Sequence, residues 1–243
     1  MIDLLQTYGV YLALGQFPHG PLGGLALTLL LGAGALLLAL PLGVLLAIAR
    51  VSPRPALRWP VSAFVHVVRG TPLLMVIFWA YFFLPSLTGQ KTGQFATMLS
   101  ALVVFNGAYL AEIVRAGIRA VPRGQAESAR SLGLSYAQTM RFVILPQAVR
   151  SMLPSLVNQF ATTLKETSLG YIIGLPELSF IASQVNALVQ TRPFAVFGLL
   201  AATFFVLSFG ISRAAYALER RLTRARGGGI APGAPFTSAP ALP

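Results

Sequence analysis

The 243 residues are 56% hydrophobic and 10% charged, with no cysteine and a formal net charge of +12. Soluble domains carry roughly 25% charged residues, so this composition points to a bilayer as the solvent. It excludes disulfides and cysteine metal centres, and so apolar a chain is not expected to bind nucleic acid despite its basic balance.

The opening Met1-Ile2-Asp3 lacks the positive n-region of a cleavable signal, and none is expected. The apolar part of Tyr11 to Phe17 is too short to cross and is assigned to the interface. Helical spans need about 20 apolar residues. The first runs from about Leu22 to Ala49, ending at Arg50, and the second from about Val61 to Leu84, closed by Pro85. The third covers about Phe95 to Val114, the fourth follows Pro146 to about Ile173, and the fifth covers about Phe194 to Leu218. Span one carries Ala35, Ala39, Gly43 and Ala47 at four-residue spacing, a groove for packing within the chain or against a second membrane subunit. Pro41 is expected to kink it. Residues 1–226 thus read as one membrane domain, and residues 227–243, rich in Gly, Pro and Ala, as a disordered tail.

Five spans put the termini on opposite sides. Of 18 Lys and Arg, fourteen follow span one, lie around the loop between spans three and four, or end span five. Lys91 and Arg192 alone occupy the opposite loops, with Arg69 and Lys165 inside spans. Basic loops stay cytoplasmic, so the N-terminus is expected outside and the C-terminus inside.

The loop of residues 119–146 is long and amphipathic. Pro122 suits a first helical turn and Gly133 a left-handed stop. Ser135 with Gln138 forms a capping-box pattern, and Pro146 is expected to interrupt before span four. Two short helices joined by a tight corner follow. Leu132, Leu134, Tyr136, Met140 and Phe142 would be left partly exposed, which favours a protein partner over a merely solvated loop.

Glu127-Ser-Ala129, Gly133 and Val143-Ile-Leu-Pro146 resemble the EAA loop of bacterial ABC importer permeases. Ser128 and Val143 replace the usual Ala and Ile. Arg69-Gly-Thr-Pro-Leu-Leu74, Ala108 to Ile118, Leu145 to Ala148, Leu153 to Gln159 and Leu164 to Leu169 are similar to signatures of the polar amino-acid branch, which imports His, Arg, Lys, Gln, Glu or opines. Val76 stands where that signature commonly carries Gln. The resemblance implies an all-α membrane protein of MetI-like, type I importer fold, with about five transmembrane helices and a cytoplasmic coupling-helix loop. It implies a multi-pass chain of the bacterial inner membrane, paired with an identical or related permease. The implied partners are ABC ATPase subunits and an extracytoplasmic amino-acid-binding protein. Glu127, Ser128, Ala129, Gly133, Leu134 and Tyr136 would couple to the ATPase.

The chain has no Gly-x-x-x-x-Gly-Lys-Ser/Thr loop, so ATP and Mg belong to the partner subunits and no cofactor is expected on this one. His19 and His66 lack metal-ligand spacing, and no catalytic constellation stands out, so no enzyme is expected. A self-contained secondary transporter or channel is the rival reading, but it needs no docking loop and would show internal repeats. Ionisable groups within spans are costly and tend to be functional or paired. Thr71, Glu112, Asn158, Glu166, Thr167 and Ser168 are therefore the expected lining of a polar pathway, against the reading that they only tie helices together. For Glu112 that second reading is an i,i+3 pair with Arg115. Gly170 and Gly174 permit a helix break.

Overall fold

The computed structural model describes residues 2–89 and 93–226, and every regular element among them is a helix. The tail at 227–243 lies outside the described residues. Helix α1 (Ile2–Leu14) leads through a glycine corner into α2 (Gly24–Val51), which continues unbroken through Pro41. Helices α3 (Pro55–Gly70), α4 (Leu73–Phe78) and α5 (Leu84–Thr88) follow, with a π-helical turn at Trp79–Phe83 between the last two. Next come α6 (Gln94–Arg119), α7 (Arg123–Ser131) and α8 (Tyr136–Gln138). A second π turn (Thr139–Ile144) joins α8 to α9 (Leu145–Glu166). A 3-10 turn (Thr167–Ile173), α10 (Leu178–Val189) and α11 (Pro193–Arg226) complete the chain.

Helix α2, helix α6 and the stretch Pro193–Ala217 of α11 are each long and apolar enough to cross a bilayer, matching the first, third and fifth expected spans. Helix α9, over the fourth expected span, is not among them, and the second is corrected. The stretches Pro55–Gly70 and Leu73–Leu87 meet at 104° rather than forming one straight helix. The cause is local. Thr71 precedes Pro72, and a residue before proline is pushed out of the helical region. Thr71 accordingly sits at φ −97°, ψ 135°, and Pro72 has no N–H to carry the ladder on.

The expected stops at Pro85 and Pro146 are also corrected. Each proline lies in the first turn of the helix that follows, α5 and α9 respectively, and each helix follows a π turn directly. A proline ring clashes with the carbonyl four residues back. The wider π ring shifts that register and lets the chain stay helical. Sequence reading also missed α1 and α10 as helices.

The core lies between α2, α6 and α9. Ala35, Ala39, Gly43 and Ala47 are all buried. A Cβ added at Gly43 would lie 2.6 Å from Leu110 Cβ, and one at Gly107 would lie 2.8 Å from Leu42 Cδ2. The small-residue stripe therefore packs within the chain, against α6. Close backbone approach of this kind is what holds helices together where lipid removes the hydrophobic drive. Leu31, Met98, Leu102 and Leu110 fill the same layer, fully buried. Leu37, Leu45, Phe205, Val206 and Phe209 point outward, as a chain dissolved in lipid requires.

Candidate functional site

The corner between α7 and α8 is built by local hydrogen bonds. Gly133 takes φ +82° just past the end of α7, a conformation that favours glycine. Its N–H donates to the Arg130 carbonyl at 2.9 Å, and Leu134 N–H donates to the Ala129 carbonyl at 3.2 Å. These two bonds close a Schellman stop. One residue on, Gln138 N–H donates to Ser135 Oγ, and Ser135 N–H donates to Gln138 Oε1 at 2.8 Å. The expected capping box is present. Pro122 lies just before the first turn of α7 rather than in it. Ala129 is buried, Leu134 and Met140 are half-buried, and Glu127 and Ser128 are exposed. Leu132, Tyr136 and Phe142 are 81%, 54% and 63% exposed, leaving an apolar face on a rigid corner.

Two carboxylates inside the bundle sit in separate polar clusters. Glu112, near the end of α6, accepts from Arg50 Nη1 of α2 at 2.5 Å and pairs with Arg115 one turn on. Arg69 of α3 lies 3.6 Å away, its guanidinium 5.1 Å from the centre of the Tyr109 ring. One carboxylate thus joins three helices through three arginines. The pairing with Arg115 was foreseen; the other two partners were not.

Glu166 closes the second cluster at the end of α9. Its Oε2 accepts from Asn106 Nδ2 at 2.9 Å. Asn106 Oδ1 in turn accepts from Gln159 Nε2 at 2.8 Å and from Thr163 Oγ1 at 2.7 Å. Asn106 is fully buried, so α6 and α9 are tied across the core by both ends of one amide.

The other expected pathway residues are not gathered with these two. Thr71 and Ser168 donate to the carbonyls of Val67 and Lys165 on their own helices. Thr167 is fully buried and donates to the Leu164 carbonyl, so it presents no free group. Asn158 is exposed on α9. The chain does tighten into a 3-10 turn after Glu166 and stops at Gly174, φ +76°, where glycines were expected to permit a break.

Residues 39–224 match the family of binding-protein-dependent transport system inner membrane components. The chain belongs to this family. The permease is 38% identical to the probable glutamine ABC transporter permease protein GlnP of Bacillus subtilis (strain 168), over 82% of its own length and 92% of that protein. It is 34% identical to the arginine transport system permease protein ArtQ of the same organism, over 83% and 91%. Among solved structures, the crystal structure of an amino acid ABC transporter with histidines superposes with a TM-score of 0.81 at 34% identity, covering 90% of this chain and 97% of that one. The permease is a multi-pass membrane protein, and the membrane-component family gives it a transport role.

Sequence reasoning missed Arg50, Asn106 and Glu177 in the permease. Arg50 and Asn106 act at separations of 62 and 60 residues, which no local pattern reveals. Glu177 was more legible, because it directly precedes the apolar run Leu178–Val189. Both its carboxylate oxygens accept at 2.9 Å from Ser179 and Phe180 N–H, capping α10. It is fully buried, and that burial pushes its carboxyl up to about 7, against the two backbone donors that pull it down. The neighbouring Leu178 N–H donates to Thr28 Oγ1 at 3.1 Å, and Pro176 O accepts from Gly24 N–H at 2.9 Å. The start of α10 is thereby fastened to the start of α2.

Proposed function

We propose that this permease carries a polar amino acid across the bacterial inner membrane by alternating access, driven by separate ABC ATPase subunits. The observation that carries the reading is the doubly capped corner with Leu132, Tyr136 and Phe142 exposed on it. A rigid apolar projection of this size is a docking surface. Glu127, Ser128, Ala129, Gly133, Leu134 and Tyr136 form the contact with the ATPase. ATP and Mg are bound by that partner, and this subunit catalyses nothing. An extracytoplasmic binding protein delivers the cargo to a permease pair, identical or related. The relatives named above, a glutamine permease, an arginine permease and an amino acid transporter, support the cargo class.

Glu166 is the proposed heart of the pathway, with Asn158, Ser168 and Thr71 as further lining; the fully buried Thr167 supports the turn behind it. Glu166 has one amide partner and retains acceptor capacity for a ligand cation. A carboxylate there favours a cationic or zwitterionic amino acid by charge attraction. Glu112 is assigned to holding α2, α3 and α6 together at the cytoplasmic end of the path. The N-terminus is outside and the C-terminus cytoplasmic.

The test is reconstitution with the cognate ATPase and binding protein, followed by uptake of radiolabelled glutamine, arginine and histidine. ATP-dependent uptake of at least one is the expected result. Uptake that proceeds without ATP, from a chain that captures no ATPase subunit, would falsify the reading. The chain has no cysteine, so Ser135→Cys gives a clean orientation reporter. It should react with an impermeant maleimide only from the cytoplasmic side.

A further inference from the structure

A cavity of about 770 Å³ opens between the α2–α3 corner, the end of α6 and the α7–α8 corner. Five arginines line it: Arg50, Arg58, Arg119, Arg123 and Arg130, and no carboxylate does. Arg50 is committed to Glu112. Among the described residues, no carboxylate lies within ion-pair distance of Arg58, Arg119, Arg123 or Arg130. Like charges gathered in one cavity repel, and that arrangement is stable when an anion fills it. A smaller chamber of about 230 Å³ shares Arg50, Arg58 and Arg119 with the first and is also lined by Trp59. Trp59 is 70% exposed and its neighbour Leu57 is 47% exposed. Exposed tryptophan beside arginine marks the depth of lipid headgroups.

We infer that this arginine-lined cavity binds the phosphate headgroup of an anionic phospholipid from the cytoplasmic leaflet. The arginines supply charge-assisted donors for phosphate oxygens, and Trp59 with Leu57 supplies the surface along which the acyl chains leave. The volume is that of an ordinary ligand site. A lipid is favoured over an acidic segment of the ATPase by geometry. The exposed Leu132 and Phe142 do not line the cavity, and Tyr136 alone of the coupling residues does. The cavity and the docking surface are therefore two faces of one corner. A lipid held there would brace the corner against the membrane domain. This inference rests on the cytoplasmic placement of the corner proposed above.

The test uses the complete transporter, released from nanodiscs of mixed phosphatidylglycerol and phosphatidylcholine and read by native mass spectrometry. Wild type should retain phosphatidylglycerol over phosphatidylcholine. The double variant Arg119→Gln/Arg130→Gln should lose that preference roughly thirtyfold, the expected effect of two basic residues at a membrane surface. Arg119→Lys/Arg130→Lys keeps the charge and should keep most of the preference, which separates lost binding from lost folding. Arg213→Gln, on α11 away from the cavity, should change nothing. Equal retention in wild type and the Gln variant overturns the inference. So does full displacement of the lipid by inorganic phosphate, which would make the site one for free phosphate. Displacement on adding the ATPase subunits overturns it too, by assigning the cavity to the ATPase. The Ser135→Cys reporter reads orientation separately, so a wrong topology and an empty cavity give different results.

Discussion

Glu112 and Glu166 are both carboxylates inside a helical bundle, yet their surroundings are opposite. Glu112 faces three guanidinium groups from α2, α3 and its own helix. Glu166 faces one neutral amide, and the cation beside it in sequence, Lys165, turns outward and is exposed. Around Glu112, positive charge is in excess and the carboxylate is consumed as a fastener. Around Glu166, a carboxyl group is left with acceptor capacity unspent. The difference teaches that an over-compensated intramembrane charge serves as a structural tie, and it is the under-compensation of Glu166 that supports its proposed place in the pathway.

The largest effect is expected at the fastener. Glu112→Ala strands Arg50, whose side chain is only 5% exposed, with no counter-charge. Breaking a buried pair from one side costs about 3–5 kcal/mol. Thermal unfolding in detergent should show that loss, and the double variant Glu112→Ala/Arg50→Met should recover part of it. If the single variant unfolds like wild type, the cluster is not a fastener.

A third carboxylate sharpens the contrast through pH. Glu177 holds its proton up to about 7 in the fold, whereas an unfolded chain loses it near 4.5. Between those values the folded state binds more protons, so stability is full at low pH and falls as pH rises through 7. The loss approaches about 3 kcal/mol. Melting curves from pH 5 to pH 8 should slope downward, and Glu177→Gln should flatten them. An unchanged slope in the variant would remove Glu177 as its source.

Glu166→Gln keeps the shape and the bond from Asn106 but removes the charge. Cargo affinity should weaken roughly tenfold, the size of one modest charge-assisted contact, with unfolding nearly unchanged. Equal uptake affinity in both proteins would turn Glu166 into a second fastener and erase the contrast with Glu112. The smallest effect is expected where no carboxylate takes part. Ser135→Ala removes one cap worth about 1 kcal/mol. Coupled ATPase activity should drop while the melting of the membrane helices hardly moves.

What could be read from the chain in advance followed the range of the forces involved. Gly133, Ser135 and Gln138 act within a few residues, so the α7–α8 corner was legible down to its hydrogen bonds. The small-residue stripe on α2 was legible as a groove, but its occupant was not. Choosing α6 over a second subunit required knowing where Leu110 and Gly107 fall. Asn106 gave no signal at all, because an asparagine in a span has meaning only once Gln159, Thr163 and Glu166 converge on it. The prolines misled for a different reason. Proline rules describe regular helices, and the π turns before Pro85 and Pro146 remove the clash that would have stopped them. At Thr71-Pro72 the chain bends by 104°, whereas α2 passes Pro41 with neither a π turn nor a break.

That second π turn has a mechanical consequence. Because Pro146 does not break the chain, the Ser135 cap and Glu166 lie on one continuous shaft, with α9 alone contributing 22 residues. At 1.5 Å per residue that is a lever arm of roughly 33 Å. A tilt of about ten degrees imposed at the corner would swing the far end by roughly 6 Å, about the width of an amino-acid side chain. Under the proposed coupling, no hinge is required between the corner and Glu166.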